Sequence, residues 1–168
     1  MPRIERTLRC GPSPASGPGA PVPPRQVSSP TPSLSTDGQR HVSDRPLRVL
    51  LVEDSPLLIQ RISELIGDLA NVELVGTATS EPDAVARLEA EDVDAVILDL
   101  QLNTGSGFGV LRALKRRAAG PTVIVFTNFA IGAYRETALA LGARHFLDKS
   151  RDSARLPAVL QELSDAMH

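Results

Sequence analysis

Residues 48–56 read RVLLVEDSP. Val49, Leu50, Leu51 and Val52 make an apolar run of strand length, and two acids, Glu53 and Asp54, follow it without a gap. Ser55 and Pro56 come next, a residue type suited to an N-cap and a proline suited to the first helical position. A buried strand thus ends in two adjacent charges and gives way at once to a helix. Leu58, Ile62, Leu65 and Leu69 then recur at helical spacing, the stripe of an amphipathic helix.

The same alternation continues along the chain. VELVGTA (72–78) predicts a second strand, and Ser80 with Asp83 around Pro82 predicts a capping box opening a helix that Val85 and Leu88 turn inward. VDAVIL (93–98) predicts a third strand, apolar enough to be buried on both faces. GFGVLRALKRRA (107–118) predicts a helix whose basic last turn suits its dipole. TVIVF (122–126) is a fourth strand, AIGAYRETALALG (130–142) a helix closed by Gly142, and RHFLD (144–148) a short fifth strand. SARLPAVLQELSDAM (153–167) is the last helix, with a start blurred by Pro157. Five strand–helix pairs predict an α/β fold, a doubly wound five-stranded parallel sheet of flavodoxin-like order 2-1-3-4-5 with helices on both faces.

Residues 1–45 have a different texture. They hold nine of the 14 prolines, with much Ser and Gly, and no period of 2 or 3.6. Such a segment cannot bury enough apolar surface to offset its ordering entropy, so it is expected to be a disordered tail, with the folded domain spanning 46–168. The tail carries six Arg and three acids, and the remainder 12 basic and 17 acidic side chains, so the folded part is mildly acidic and an unsuitable surface for nucleic acid. No apolar run reaches the roughly 20 residues of a membrane span, and no secretory signal opens the chain. Cys10 is the only cysteine and the three histidines are scattered, which excludes an intrachain disulfide and offers no zinc spacing. A cytoplasmic location is expected.

In such sheets the chemistry sits at the carboxyl ends of the strands, near the point where strand order reverses. Strand one ends in Glu53 and Asp54, strand three in Asp99, strand four in Thr127 and Asn128, and strand five in Asp148 and Lys149. Three carboxylates brought within several ångströms repel, by roughly 3 kcal/mol per pair at about 5 Å and an effective dielectric near 20. A hard divalent cation relieves that. Mg²⁺ uses one or two carboxylates together with phosphate oxygens, whereas no loop here supplies the oxygens of a calcium cage. Thr127 and Lys149 add a hydroxyl and an ammonium that suit developing negative charge. Carboxylates, Mg²⁺, Thr and Lys together describe phosphoryl transfer, with Asp99 as the carboxylate that takes the phosphoryl group.

These residues resemble the receiver domain of two-component response regulators over about residues 46–168. The resemblance rests on the acidic pair Glu53 and Asp54, then Asp99, Thr127 and Lys149 in order, with Gly107 at the turn glycine and Phe146 at the aromatic switch position. It implies Mg²⁺ held by Glu53, Asp54, Asp99 and the main-chain carbonyl of Gln101. It implies a sensor histidine kinase or phosphotransfer protein as donor. It also implies that Thr127 moves toward the phosphate while the aromatic at 146 turns inward, repacking the face of helix four, strand five and helix five for a downstream protein. Asn103 and Ser150 stand where the family often has proline, and Asn128 where it prefers a small residue.

The expected function is a phosphorylation-activated switch relaying its signal by protein contact, a stand-alone receiver that is a phospho-acceptor and not an enzyme. Two alternatives stand beside it. A Mg²⁺-dependent phosphatase with an aspartyl nucleophile usually has an acid two residues past the nucleophile, where this chain has Gln101. A receiver-like scaffold working without phosphorylation would not need Asp99 and Lys149.

Overall fold

The computed structural model describes residues 45–168, and the expectation of a disordered 1–45 segment lies outside them but for Arg45. The elements are β1 (Leu47–Val52), α1 (Pro56–Gly67), β2 (Val72–Ala78), α2 (Glu81–Ala90), β3 (Ala95–Leu98), α3 (Gly107–Lys115), β4 (Thr122–Thr127), α4 (Gly132–Ala140), β5 (His145–Asp148) and α5 (Leu156–Asp165). All four strand pairings are parallel and the order is β2-β1-β3-β4-β5. None of the described helices is long and apolar enough to cross a membrane.

The period of two in the central strands builds two cores. Leu50 and Val52, Val96 and Leu98, Val123 and Val125 point to one face, where Ala84 and Leu88 of α2, Val110, Leu111 and Leu114 of α3 and Ala138 of α4 cover them. Val49 and Leu51, Ala95 and Ile97, Ile124 and Phe126 point to the other, under Ile62 and Ile66 of α1 and Leu156, Val159 and Leu160 of α5. Strands buried on both faces read as continuous apolar runs for this reason.

Local signals hold with two corrections. Ser80 does accept from the Asp83 N–H (3.3 Å) and caps α2. Ser55 occupies the N-cap position of α1, but its side chain makes no cap bond; its own N–H donates to Glu53 Oε1 at 3.1 Å. Of the predicted α1 stripe, Ile62, Leu65 and Leu69 face the core with Ile59 and Ile66, whereas Leu58 lines a surface cavity. Pro157 lies in the first turn of α5, where its missing N–H costs nothing, after a 3-10 turn at Ser153–Arg155. Gly142 follows α4 at φ +105, a conformation side chains resist.

Arg45, one residue ahead of the expected start of the folded domain, makes tertiary contacts. Arg45 binds Asp94 through both guanidinium arms at 2.6 and 2.9 Å, and the Arg48 N–H donates to the same carboxylate at 2.9 Å. Burial opposes the Asp94 charge, but the Arg45 and Arg48 bonds outweigh it and hold the carboxyl below its usual range. A carboxyl depressed on folding contributes stability above its unfolded pKa, about 3.9, and loses it as pH falls through the folded value. Asp94→Asn is expected to cost about 1 kcal/mol at neutral pH and nothing at acid pH where Asp94 is protonated. Urea unfolding of both proteins at the two pH values checks this; an equal cost at both would refute it.

Candidate functional site

Register assembles the rim. Val52 pairs with Leu98, so their successors Glu53 and Asp99 emerge side by side. The Asp99 N–H donates to Val52 O at 2.9 Å and the Glu53 N–H to Ala78 O at 2.9 Å, which extends the ladder one step past the strands. On the far side Thr127 pairs with Asp148, and the Lys149 N–H donates to Thr127 O at 3.0 Å. Lys149 thereby enters from β5 across the end of β4.

Glu53, Asp54 and Asp99 each offer a carboxylate oxygen within 4.8 Å of the others. Glu53 and Asp99 are buried, at 2% and 7% exposure. The Lys149 ammonium donates to Glu53 Oε2 at 2.5 Å and Asp99 Oδ2 at 2.7 Å, with its side chain only 6% exposed. Main-chain N–H groups hold three of the other four carboxylate oxygens, Glu53 Oε1 through Ser55 among them. The Gln101 N–H donates to Asp99 Oδ1 at 3.2 Å, and the Asn103 N–H to Asp54 Oδ2 at 2.7 Å. The last bond exists because residue 103 is not proline, which has no N–H to give.

Three carboxylates and one ammonium sum to two negative charges on an all-oxygen donor set. That matches a hard divalent cation and excludes the softer metals that prefer thiolate or imidazole. The residues present therefore fit a metal of the Mg²⁺ kind, and the cluster opens into a cavity of about 800 Å³. Leu58, Phe108, Phe129 and Tyr134 line that cavity together with the charged groups. Phe108 and Tyr134 meet edge to face at 5.5 Å. The sequence reading passed over this apolar lining, because aromatics on two different helices and a loop share no period.

Other predicted residues lie apart from the cluster. Thr127 is fully buried, does not line the cavity, and its Oγ1 accepts from the Phe129 N–H at 3.3 Å. Phe146 is 5% exposed in the core under α3 and α4, with the Arg135 guanidinium 5.7 Å from its ring centre. The ring is thus already inward, so the expected inward turn has no outward starting point in this structure. The physical reason is that phenylalanine lacks the hydroxyl that would favour a place at the surface. Asp148 stays outside the carboxylate cluster. The Ser150 hydroxyl, at 2.5 Å, and the Ser150 N–H, at 2.8 Å, hold its carboxyl below the usual range.

Residues 49–161 match the family model of the response regulator receiver domain, and the chain belongs to that family. Among curated relatives it is similar to protein-glutamate methylesterase/protein-glutamine glutaminase 2 of Koribacter versatilis, at 33% identity over 71% of this chain and 33% of the relative. The protein of the same kind from Symbiobacterium thermophilum is 34% identical over 67% of this chain and 31% of the relative. The chain therefore spans about a third of the length of these relatives. Among solved structures, the response regulatory domain of protein mrkE from Klebsiella pneumoniae aligns at 28% identity and TM-score 0.64, over 71% of this chain and 97% of that one. The response regulator domain of Thermotoga maritima CheB shares the fold, at TM-score 0.65 and 24% identity over 73% and 97%.

These relatives correct one expectation. The chain was read as a phospho-acceptor that is not an enzyme, yet the curated relatives are named as enzymes, a methylesterase and glutaminase. A receiver fold carries no residue pattern that reports what the rest of such a relative does, so the sequence offered no signal for this.

Proposed function

We propose that Asp99 is the phospho-acceptor of a Mg²⁺-dependent switch, supplied by a sensor histidine kinase or phosphotransfer protein. The observation that carries the reading is the buried Lys149 ammonium bridging Glu53 and Asp99 beside an open cavity. An Asp99 carboxylate oxygen attacks phosphorus. The bond from phosphorus to the donor's imidazole nitrogen breaks, its electron pair stays on that nitrogen, and an acyl phosphate results. Lys149, already 2.7 Å from Asp99, follows the charge onto the phosphoryl oxygens.

Glu53, Asp54, Asp99 and the main-chain carbonyl of Gln101 would hold Mg²⁺, which supplies charge neutralisation for the transferring group. Thr127 has only a bond of 3.3 Å to give up before its hydroxyl turns to the phosphate, and a bond of that length costs little to lose. Phe146 and its Arg135 neighbour are the part of the core such a movement would press on.

Exposed apolar groups on α4 support signalling through the face of α4, β5 and α5. Only Ala138 of that helix is buried, while Tyr134 and Leu139 within it and Ile131 just before it stay in solvent. An enzyme is a fitting downstream target, given the names of the curated relatives. Incubation with phosphoramidate and Mg²⁺ is expected to add one phosphoryl group by intact mass, and EDTA to prevent it. Steady turnover of a phosphomonoester with no adduct would replace the switch by a phosphatase.

A further inference from the structure

We propose that Glu81, at the start of α2, is a positioning residue for this site, holding the loop that presents the Gln101 carbonyl. The inference rests on the Mg²⁺ reading above. In the loop between β3 and α3, Asp99 to Ser106, Gln101 and Ser106 form an antiparallel bridge that closes the segment between them. Asp54 grips one side through the Asn103 N–H. Glu81 grips the other twice. Its N–H donates to Thr104 O at 3.0 Å, and its Oε2 accepts the Ser106 N–H at 2.8 Å.

Room is left for this side chain by two glycines. A Cβ on Gly105 would overlap the Glu81 Cβ, and a Cβ on Gly109 would overlap its carboxylate. Gly105 also needs its φ of +80 for the turn, whereas Gly109 has no such need. An absent side chain at 109 is therefore accounted for by the carboxylate lying over it. That carboxylate sits at the first turn of α3, where negative charge is favoured, and Ser106 caps the same turn by accepting the Gly109 N–H at 3.3 Å. The two acids thus clamp the loop from different elements, and only Asp54 is a candidate ligand itself.

Mg²⁺ titration calorimetry and phosphoramidate labelling rates test the assignment. Glu81→Ala is expected to weaken Mg²⁺ binding about tenfold, with labelling slowed at low Mg²⁺ and restored at saturating Mg²⁺. Glu81→Gln, which keeps an acceptor oxygen, is expected to stay within about threefold of wild type. Gly109→Ala improves helix propensity yet evicts the carboxylate, so it should match Glu81→Ala, and the double variant should be no worse than either. Should Glu81→Ala fail to fold, Gly109→Ala carries the test. Wild-type Mg²⁺ affinity in Gly109→Ala or in folded Glu81→Ala would overturn the proposal while leaving the site intact. A wild-type protein that binds no Mg²⁺ and takes no label would overturn the functional reading, and the role of Glu81 with it.

Discussion

Lys149→Ala is expected to lose about 3 kcal/mol of stability at neutral pH without metal, the cost of stripping a buried ion pair of one partner. The side chains of Lys149, Glu53 and Asp99 are 6%, 2% and 9% exposed, so water cannot replace the ammonium cheaply. Two carboxylates would then face each other among groups clustered within 4.8 Å. Two results distinguish this from loss of an ordinary lysine. The deficit should shrink when Mg²⁺ is added, because without the ammonium the cluster carries one more negative charge and gains more from the cation than the wild type does. Glu53→Gln should also change sign. It should destabilise the wild type, where it removes an ion-pair partner, and stabilise Lys149→Ala, where it removes a repulsion. Urea unfolding of the four proteins measures this. A deficit within about 0.5 kcal/mol, insensitive to Mg²⁺, is what a solvated lysine would give.

Gly107→Ala is expected to be as damaging, for a steric reason. A Cβ there would collide with the Asp99 carbonyl oxygen and lie 2.8 Å from the Leu100 Cα. Both obstacles are backbone, so no rotamer change relieves the contact, and the end of β3 must move away from α3. Overpacking of that kind costs about 3 kcal/mol at the upper end of its usual range. It also shifts the residue on which the site depends, so Mg²⁺ binding should weaken with stability. Gly67→Ala is the control. Gly67 ends α1 with nothing within 4 Å of its would-be Cβ, so alanine should be neutral or stabilising by up to about 1 kcal/mol. Equal losses in the two variants would show that the approach of α3 to β3 is not what Gly107 serves.

Much of the fold was legible because each central strand writes its burial and its end into adjacent residues. VLLV followed by Glu53 and Asp54, and VIL followed by Asp99, state where the sheet stops and what stands there. The parallel order then makes Glu53 and Asp99 neighbours with no further information. What stayed illegible depends on contacts between distant residues. Leu58 and Ile59 are both apolar, so the periodicity alone could not fix which turns to the core and which to the cavity. Thr127 ends its strand as expected, yet its hydroxyl answers to the Phe129 N–H, a bond only the turn after β4 creates. Ser55 has the residue type of a cap, but Glu53 takes its N–H and its hydroxyl caps nothing. Glu81 stands in the first turn of α2, and its bond to Ser106, 25 residues on, follows only from how α2 meets α3.

The central claim is that Asp99 takes a phosphoryl group in a site completed by a divalent cation. Its most direct test is to phosphorylate the chain with phosphoramidate and Mg²⁺, trap the acyl phosphate with borohydride, and map the reduced residue by peptide mass spectrometry. The account predicts one modified residue, Asp99, with no modification in Asp99→Asn or in EDTA. A label on Glu53, Asp54 or any other side chain, or no label under conditions that modify other receivers, would contradict it.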